Sequence, residues 1–503
     1  MNDLSEKLKE EANGLFTIGR YTQALALYNK AIELSPSSAP LFGNRAAANL
    51  KLENYGDAIK DADTAEKLDP TYIKARYRRG SALLVLGRVA DAKQEFQEVV
   101  KVRPSDPDAK AKLQECIKTL RLKAFADAIE VEHTRPLSET LDPESLLIPS
   151  EYPGPSLPAL PSAASSTTPT SAAELIANPY AVSKHGISLA FVRELMDCFK
   201  NRRLIHKRFV WELLTRLKPV FTSYKSLVHV PWPEGAKVYN VCGDTHGQYY
   251  DTLNIFSLIG EPSPANPFVF NGDFVDRGSF SVENVLMLFA WKLLLPDYVH
   301  LTRGNHETKN MNLMYGFSGE VKSKYDSVTM DLFSEVFQSL PLAVCLDKRV
   351  LVVHGGLFQK DGVLLDEIAA IDRFREPPEG GGLMSDLMWS DPQPFMGRGP
   401  SKRGVGQSFG PDVTARFLEE NGLEYLIRSH EVKDEGYVVE HAGKCITVFS
   451  APNYCDQIGN KAAVCKVQAS RGMPPEFISY SAVPHPDVKP MAYAGNSMGM
   501  FGL

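Results

Sequence analysis

Small residues and prolines recur every 34 positions through roughly the first 110 residues of this chain. Ala24, Ala58 and Ala92 share one step of this period. Two further sets fall in step with it, Ala12, Ala46 and Gly80, and Pro36, Pro70 and Pro104. The small residues allow paired helices to approach closely, and each proline ends the second helix of its unit because proline cannot continue a helix. The pattern predicts three pairs of helices.

A period of 34 residues is typical of tetratricopeptide repeats. Three such repeats supply six helices, which are enough to bury a continuous core. Residues 107–130 show helical spacing without turn signals, so we expect a seventh helix that caps the stack. An extended linker helix is the alternative for this segment. Residues 1–130 are therefore predicted to form an all-α solenoid of repeats.

The second half of the chain alternates between strand-like and helix-like segments over residues 178–486, as layered α/β structures do. Four apolar or β-branched runs, at residues 238–241, 267–270, 298–301 and 350–353, each end in a short polar cluster. Each run is interpreted as a strand that opens into a loop. Because ligands collect at strand ends in α/β folds, the polar clusters are expected to share one site.

Residues 131–177, between these two halves, differ from both in composition. They are rich in Pro, Ser, Ala and Thr, most densely over residues 158–170. Such a stretch cannot bury enough apolar surface to offset its chain entropy, so we predict a flexible linker. The last residues, 487–503, are rich in Met and Gly and are expected to form a tail that packs only in part.

The overall composition narrows the possible functions. The 503 residues are 44% hydrophobic and 23% charged, and their formal net charge of −6 gives no reason to expect binding to nucleic acid or to a membrane surface. No window approaches the roughly 20 apolar residues of a membrane span, and the charged first residues do not resemble a signal peptide. The seven cysteines form no CxxC pairs, so neither disulfides nor a zinc ribbon is expected. We expect a reducing location, cytoplasmic and nuclear.

The polar clusters offer the ligand types of a two-metal phosphoester hydrolase. Phosphate monoesters of serine hydrolyse extremely slowly, so a catalyst must both generate a nucleophile and neutralise phosphoryl charge. Two metal ions roughly 3.5 to 4 Å apart do both by holding a hydroxide for in-line attack. Asp244 and His246 share a loop and can hold one ion, and Asp273 on the next loop is the expected bridge. The expected remaining ligands of the second ion are Asn305, His354 and His430.

Other residues of the same clusters suit proton transfer and phosphate binding. The leaving alkoxide needs a proton, and His306, adjacent to a predicted ligand, is placed to donate it. Asp276 is the candidate carboxylate that keeps this imidazole protonated and oriented. Arg277 and Arg403 can hold the phosphate oxygens, because the guanidinium fork suits phosphate. Further substrate contacts are expected from Asn305 and Tyr454.

Five polar residues of the repeats are placed to face one groove. Lys9 and Asn13 are four apart, as are Lys74 and Arg78, and Asn44 lies on the helix between them. Cations and amides that converge in this way suit the terminal carboxylate and acidic side chains of a peptide. Ordinary solvent exposure is the alternative interpretation of each of these residues.

The ordered motifs identify residues 178–486 as a member of the phosphoprotein phosphatase family of serine/threonine phosphatases. The motifs GDxHG, GDxVDRG, GNHE and HGG occur in order, and SAPNY follows at residues 450–454. The resemblance implies a calcineurin-like metallophosphoesterase fold, a β-sandwich flanked by helices. It also implies phosphoprotein substrates and two divalent or trivalent metal ions. Carboxylate, imidazole and amide ligands suit Mn, or Fe and Zn.

The repeats that precede this domain resemble those of co-chaperones that hold the acidic carboxyl terminus of heat-shock protein 90 or 70. In that resemblance the five groove residues occupy the positions of a peptide clamp. Phosphatases of this architecture are held nearly inactive by their repeats, with help from the carboxyl-terminal tail. Glu53, in the turn of the second repeat, is the expected contact with the catalytic channel. A monomer is expected, because no dimerisation heptads appear.

Two alternatives stay open at this point. Metallophosphoesterases that act on nucleic acids or dinucleotide polyphosphates use similar metal loops, so the fold alone does not select protein substrates. A non-catalytic chaperone adaptor with a decayed phosphatase half would retain the repeats but bind no metal.

Overall fold

The structure is a computed structural model that describes residues 2–128, 135–161, 171–378 and 380–494. None of its described helices combines the length and hydropathy that crossing a lipid bilayer would require.

The repeat region begins the chain and follows the predicted period. Its helices are α1 (Asn2–Thr17), α2 (Tyr21–Leu34), α3 (Ala39–Lys51), α4 (Tyr55–Leu68), α5 (Ile73–Val85), α6 (Val89–Val102) and α7 (Pro107–Ala128). The second helix of each pair ends two residues before a proline of the shared set, at Leu34, Leu68 and Val102. The prediction of three helix pairs is confirmed. The seventh helix packs against α6, where a cap was expected.

The turn inside each helix pair has a left-handed residue at the same step of the period. These residues are Gly19, Glu53 and Gly87, with φ of 81°, 61° and 77°. All three turns point toward the second half of the chain. A side chain added at Gly19 would meet Gln457, and one added at Gly87 would meet Asn310. The repeat region therefore docks on the catalytic half through a row of equivalent turns.

Much of the segment predicted to be a flexible linker packs on the catalytic half instead. It contains α8 (Leu137–Thr140) and α9 (Ala172–Ala177). The Glu335 carboxylate accepts hydrogen bonds from the backbone N–H groups of Leu137 and Ser138, at 2.5 and 3.1 Å. Leu157 and Leu175 are 8% and 6% exposed within the main hydrophobic cluster. The prediction was wrong for these residues because a few widely spaced apolar anchors outweigh a polar average. Residues 131–134 and 162–170 of the predicted linker lie outside the described residues.

The remaining described helices surround two sheets. They are α10 (Leu189–Lys200), α11 (Lys207–Thr222), α12 (Tyr249–Ile259), α13 (Ser281–Leu294), α14 (Lys309–Tyr315), α15 (Phe317–Lys324), α16 (Ser327–Ser339), α17 (Leu365–Ala369), α18 (Leu383–Trp389) and α19 (Pro411–Glu420). Helix α13 is buried along its whole length, which explains its nearly continuous apolar sequence.

Three sheets contain the described strands. The strands are β1 (Leu227–Val230), β2 (Val238–Cys242), β3 (Phe268–Phe270), β4 (Val299–Leu301), β5 (Ala343–Leu346), β6 (Val350–Val353), β7 (Asp391–Pro392), β8 (Arg398–Pro400), β9 (Gln407–Phe409), β10 (Tyr425–Arg428), β11 (Tyr437–Glu440), β12 (Cys445–Val448), β13 (Ala462–Gln468) and β14 (Glu476–Tyr480). One sheet has the order β1-β5-β6-β10-β12-β11, the second β14-β13-β2-β3-β4, and a small third β7-β9-β8.

The two large sheets pack face to face on a hydrophobic layer that includes Val241, Val269, Val352 and Ile427. The predicted β-sandwich flanked by helices is confirmed. Strands β2, β3 and β4 run parallel in one sheet, and β6, β10 and β12 run parallel in the other. Loops from the carboxyl ends of both sets can therefore meet at one edge of the sandwich.

Part of the predicted tail packs beside these loops. The backbone N–H of Met491 donates to the carbonyl of Arg277 at 2.8 Å, and the Ser279 hydroxyl donates to the carbonyl of Lys489 at 2.5 Å. Residues 495–503 of the predicted tail lie outside the described part of the chain.

Candidate active site

The predicted site residues converge where the loops after β2, β3, β4, β6 and β10 meet. The backbone of Asp244, after β2, forms a parallel bridge with Phe449, after β12, so that the two sheets are joined at this edge. The six predicted metal ligands are all buried. The four predicted strand ends and the end of β10, which was not predicted, therefore bring together side chains that lie up to 186 residues apart in the chain, the separation of Asp244 and His430.

Four ligand atoms face one another on one side of this cluster. The Nε2 atom of His354 lies 2.8 Å from Oδ1 of Asn305, 3.2 Å from Nδ1 of His430 and 3.3 Å from Oδ2 of Asp273. The Nδ1 atom of His354 lies 2.9 Å from the carbonyl of Asn271, an arrangement that makes Nδ1 the protonated nitrogen and leaves a lone pair on Nε2. Lone pairs this close repel one another unless a cation lies between them. The geometry thus fits a metal ion.

A second group of ligands shares Asp273 with the first. The Nε2 atom of His246 lies 3.7 Å from Oδ2 of Asp273 and 3.8 Å from Oδ2 of Asp244. Its Nδ1 atom faces the carbonyl of Val275 at 3.1 Å, which again directs Nε2 inward. Asp273 belongs to both potential metal-binding groups of the described residues, one with His246 and His306 and one with His354 and His430. This is the position expected of a bridging carboxylate.

His306, a member of the group that contains His246, differs from the predicted ligands because it pairs with Asp276. Its Nδ1 atom is 2.8 Å from Oδ2 of Asp276, whose other oxygen accepts the backbone N–H of Phe317 at 2.8 Å. The Asn312 amide donates to Asp276 at 3.1 Å and to the carbonyl of His306 at 2.6 Å. Burial opposes protonation of His306, but the charge of Asp273 and the bond to Asp276 outweigh it and hold its pKa well above the usual value.

The two predicted phosphate-binding arginines are buried beside the cluster, with Arg277 6% and Arg403 5% exposed. The guanidinium of Arg277 stacks over the Tyr315 ring, with its carbon 3.8 Å from the ring centroid. Arg403 donates from Nε to Asp391 at 2.8 Å and from Nη2 to the carbonyl of His430 at 2.7 Å. Tyr315, Asp391 and Asn312 therefore support the site, although no spacing or motif in the sequence assigned them this role.

Tyr454 and Glu307 complete the cluster. The Tyr454 ring lies 5.0 Å from the His246 ring. The carboxylate of Glu307 accepts the backbone N–H groups of Asp273, Phe274 and Gly304 at 2.8 to 2.9 Å. These bonds fix the loop that carries the shared carboxylate.

The backbone of the cluster is strained in a consistent way. The non-glycine residues His246, Asp273, Asp276, Arg277 and His430 have φ between 42° and 70°. Left-handed backbone at such residues is costly and persists where the surrounding structure enforces it, commonly at functional sites. The fold therefore gives up stability to aim these side chains.

Comparison with known proteins gives the family of the chain. Calcineurin-like phosphoesterases match residues 239–434, a family described as PPP5 TPR repeat region matches residues 113–229, and tetratricopeptide repeats match residues 9–73 and 49–116. Serine/threonine-protein phosphatase 5 of Homo sapiens is 50% identical over 500 residues, which cover 99% of this chain and 94% of the relative. The chain belongs to the serine/threonine-protein phosphatase 5 family.

Other similar proteins agree with this assignment. Serine/threonine-protein phosphatase 5 of Arabidopsis thaliana is 47% identical over 539 residues, which cover 99% of this chain and 98% of the relative. A solved structure of a Saccharomyces cerevisiae serine/threonine phosphatase is 41% identical with a TM-score of 0.59, and the match covers 61% of this chain and all of the yeast one. The chain is thus a serine/threonine protein phosphatase with a metallophosphoesterase domain, and that family uses divalent metal ions.

In this phosphatase the turn of the second repeat enters the site. Glu53 forms an ion pair with Arg277, and its carboxylate lies 3.7 Å from Nη1 of Arg403 and 3.8 Å from Nε2 of His306. Burial opposes ionisation of Glu53, but the charge of Arg277 and the bond to His306 hold its pKa well below the usual value. Next to it, the hydroxyls of Tyr55 and Tyr315 form a hydrogen bond.

Four of the five predicted clamp residues of the phosphatase lie close to one another in two pairs, Asn13 with Asn44 and Lys74 with Arg78. The Oδ1 atom of Asn13 accepts from the Asn44 amide at 3.1 Å and from the Tyr28 hydroxyl at 2.7 Å. Burial lowers the pKa of Lys74, and the charge of Arg78 adds to the shift, so these two cations act on one another. Lys9 forms an ion pair with Glu6 on its own helix. The structure joins Asn13 to Asn44 by a hydrogen bond and holds the like charges of Lys74 and Arg78 close enough to repel one another.

Proposed function

We propose that this phosphatase hydrolyses phosphoserine and phosphothreonine with two metal ions, that its repeats inhibit the reaction, and that they also target it to chaperone complexes. The observation that carries the first part is the carboxylate of Asp273, which is shared by two groups of buried ligand atoms beside the His306–Asp276 pair.

The ligands divide between two ions in this proposal. Asp244, His246 and Asp273 would hold one, and Asp273 with Asn305, His354 and His430 would hold the other. The oxygen and nitrogen donors suit Mn, or Fe and Zn. When bound, the ions lower the pKa of water and offset phosphoryl charge.

The side chains of the chain itself perform the remaining tasks. Arg277 and Arg403 bind the phosphate oxygens, and each is already held by a neighbour, Tyr315 and Asp391. His306 donates a proton from Nε2 to the departing seryl or threonyl oxygen, since its Nδ1 proton is taken up in the bond to Asp276. The hydrogen bond to Asp276 favours the protonated form of His306 and so supports its role as the donor.

Inhibition follows from the position of Glu53. Its carboxylate meets the two arginines and the proton donor that a substrate phosphate would need. The backbone contact between the Asp57 N–H and the carbonyl of Lys402, at 3.1 Å, holds the same turn across the entrance. We propose that a substrate enters only after this turn has left.

Targeting is proposed from the groove of the repeats. Lys9, Asn13, Asn44, Lys74 and Arg78 offer cations and amides to the acidic carboxyl-terminal tail of heat-shock protein 90, and the same chemistry would suit that of heat-shock protein 70. The chaperone tail and the docked catalytic half would compete for the repeats. Binding of the tail would therefore also activate the enzyme.

The decisive experiment compares hydrolysis of a phosphoserine peptide, supported by Mn, by the full chain, by Glu53→Gln and by a fragment starting at residue 135. The fragment starts there because Leu157 and Leu175 belong to the catalytic core. Faster turnover by both altered proteins would support hydrolysis and inhibition together. Equal rates would leave an enzyme without inhibition by the repeats. No turnover in any of the three, with no bound metal, would favour the non-catalytic adaptor, and turnover of phosphodiesters alone would favour the other metallophosphoesterases.

A further inference from the structure

Asn44, Arg78 and Lys112 occupy the same step of the 34-residue period. They lie on α3, α5 and α7, helices that stand at the start of their repeats or, for α7, where a fourth repeat would start. Asn44 and Arg78 belong to the proposed clamp, whereas Lys112 lies on the capping helix beyond it. A position that faces the groove in two repeats is expected to face it in the next, because the same rotation and translation relates each repeat to its neighbour.

The three residues also share their burial. Asn44 is 8% exposed, Arg78 3% and Lys112 0%. The Nη2 atom of Arg78 and the Nζ atom of Lys112 are buried and have no hydrogen-bond partner among the described residues. The Nη1 atom of Arg78 does donate to the Tyr72 hydroxyl, at 3.3 Å. Buried polar groups nearly always have partners, so the unpartnered Lys112 ammonium, in step with the unpartnered Nη2 of Arg78, calls for a ligand that supplies one.

The surroundings of Lys112 satisfy its charge only in part. Its Nζ lies 5.9 Å from the centroid of the Phe96 ring, outside hydrogen-bonding distance of any described acceptor. Burial lowers the pKa of Lys112, and the negative charges of Glu115 and Asp108 oppose this shift. A peptide carboxylate at the Nζ atom would form the hydrogen-bonded ion pair that Glu115 and Asp108 do not form with it.

We propose that Lys112 is an additional anion-binding position of the groove, which takes the carboxylate of an acidic side chain of the bound peptide. The inference rests on the proposed peptide clamp and extends it by one helix. The cations of the proposed clamp, Lys9, Lys74 and Arg78, would hold the peptide's terminus and its nearest acid. Lys112 would then select peptides that carry an acidic residue at one further position. The long, flexible lysine side chain lets the ammonium move from the Phe96 ring to such a carboxylate.

The test is a double-mutant cycle measured by fluorescence polarisation on the full chain. The probe is a labelled heptapeptide with a free carboxyl-terminal Asp and two Glu residues upstream, together with versions in which each Glu in turn is Gln. Lys112→Met is compared with Lys110→Met, which removes an exposed charge two residues earlier on the same helix. Lys112→Met should weaken binding of the parent peptide about 10-fold, as the loss of a charged hydrogen bond does. The loss should vanish with one of the two Gln peptides, and Lys110→Met should change nothing.

The outcomes separate this inference from the clamp on which it rests. If Lys74→Ala and Arg78→Ala lose the peptide while Lys112→Met binds all peptides like the parent chain, the clamp stands and the role of Lys112 is wrong. If the unaltered chain binds none of the peptides, both are wrong. Methionine is apolar and similar in length, so Lys112→Met is expected to fold. If its circular dichroism shows that it does not fold, the same cycle is measured with Lys112→Gln. Weaker binding of the parent peptide that vanishes with one Gln peptide would support the role of Lys112, and unchanged binding of all peptides would refute it.

Discussion

Glu53, in the turn between α3 and α4, forms a largely buried ion pair with Arg277 of the catalytic site. The pair spans 224 residues of sequence and joins the repeats to the proposed phosphate-binding guanidinium. Glu53 also has a φ of 61°, in step with Gly19 and Gly87, which fill the same place in the other two repeats. One repeat thus carries a side chain where the period favours glycine, and that side chain is the one that enters the site.

This relationship predicts different effects for two substitutions of the same residue. Glu53→Ala and Glu53→Gly both remove the carboxylate, so both should raise basal turnover of a phosphoserine peptide by about 10-fold or more, as loss of a largely buried ion pair favours the open form. Only Glu53→Gly also relieves the left-handed backbone, a gain of about 1 kcal/mol. We therefore expect the glycine variant to unfold at the higher temperature.

Steady-state kinetics and thermal unfolding of the two proteins check this prediction. Gln457→Ala, which alters the contact at the first turn without touching the site, is the matched control and should have a smaller effect on turnover. Equal unfolding temperatures for the alanine and glycine variants would show that the backbone at residue 53 is not strained.

Asp273→Asn should remove the carboxylate shared by the two ligand groups. We expect metal content to fall and turnover to drop by more than about 100-fold, because even partners outside the ligand set cost 10- to 100-fold when lost. Elemental analysis of the purified protein and peptide hydrolysis measure both effects. Asp456→Asn, a change outside the predicted ligands, serves as the control. Full metal content in Asp273→Asn would refute the bridging role.

His306→Asn should retain metal but lose the proton donor. The expected loss is about 100- to 10,000-fold for a phosphoserine peptide, the range of general acid catalysis. The loss should be much smaller for p-nitrophenyl phosphate, whose leaving group needs no proton. Comparing the two substrates on the same preparation separates acid catalysis from damage to the metal site, since damage would reduce both rates alike.

Leu175→Ala should destabilise the catalytic half although it lies in the segment with a linker-like composition. The side chain is 6% exposed, and truncating a buried leucine costs about 2 to 5 kcal/mol. Leu147→Ala, at 87% exposure in the same segment, should change stability by less than about 0.5 kcal/mol. Urea denaturation of the fragment that starts at residue 135 measures both. Equal stabilities of the two variants would mean that the segment does not pack in solution.

The sequence was sufficient for the parts of the molecule that depend on local pattern. The period of 34 gave the helix pairs, and the apolar runs that precede Asp244, Asp273, Asn305 and His354 gave strands whose ends share one edge. The helix pairs and the strand ends could be predicted because the patterns that specify them repeat along the chain.

Other parts depend on contacts between residues that share no pattern. Tyr315, Asn312 and Asp391 support the site through single contacts to Arg277, Asp276 and Arg403, and nothing in their own surroundings marks them. The packing of Leu157 and Leu175 was missed because a composition averages over a segment, whereas a few apolar side chains, helped here by partly buried ones such as Leu141 and Ile148, are enough to anchor it.

The hydrogen bonds from the backbone of Leu137 and Ser138 to Glu335 hold the chain just after the repeats. They therefore limit how far the repeats can move from the site. Between Ala128, the end of α7, and Arg135 there are six residues, which reach at most about 25 Å when fully extended. A repeat region released from the site would therefore remain at an effective concentration of the millimolar order beside it. Under the proposed inhibition, reclosure would be a fast unimolecular event, and activity would last only as long as a ligand occupied the repeats. The rate at which that ligand dissociates would then set the duration of each active period.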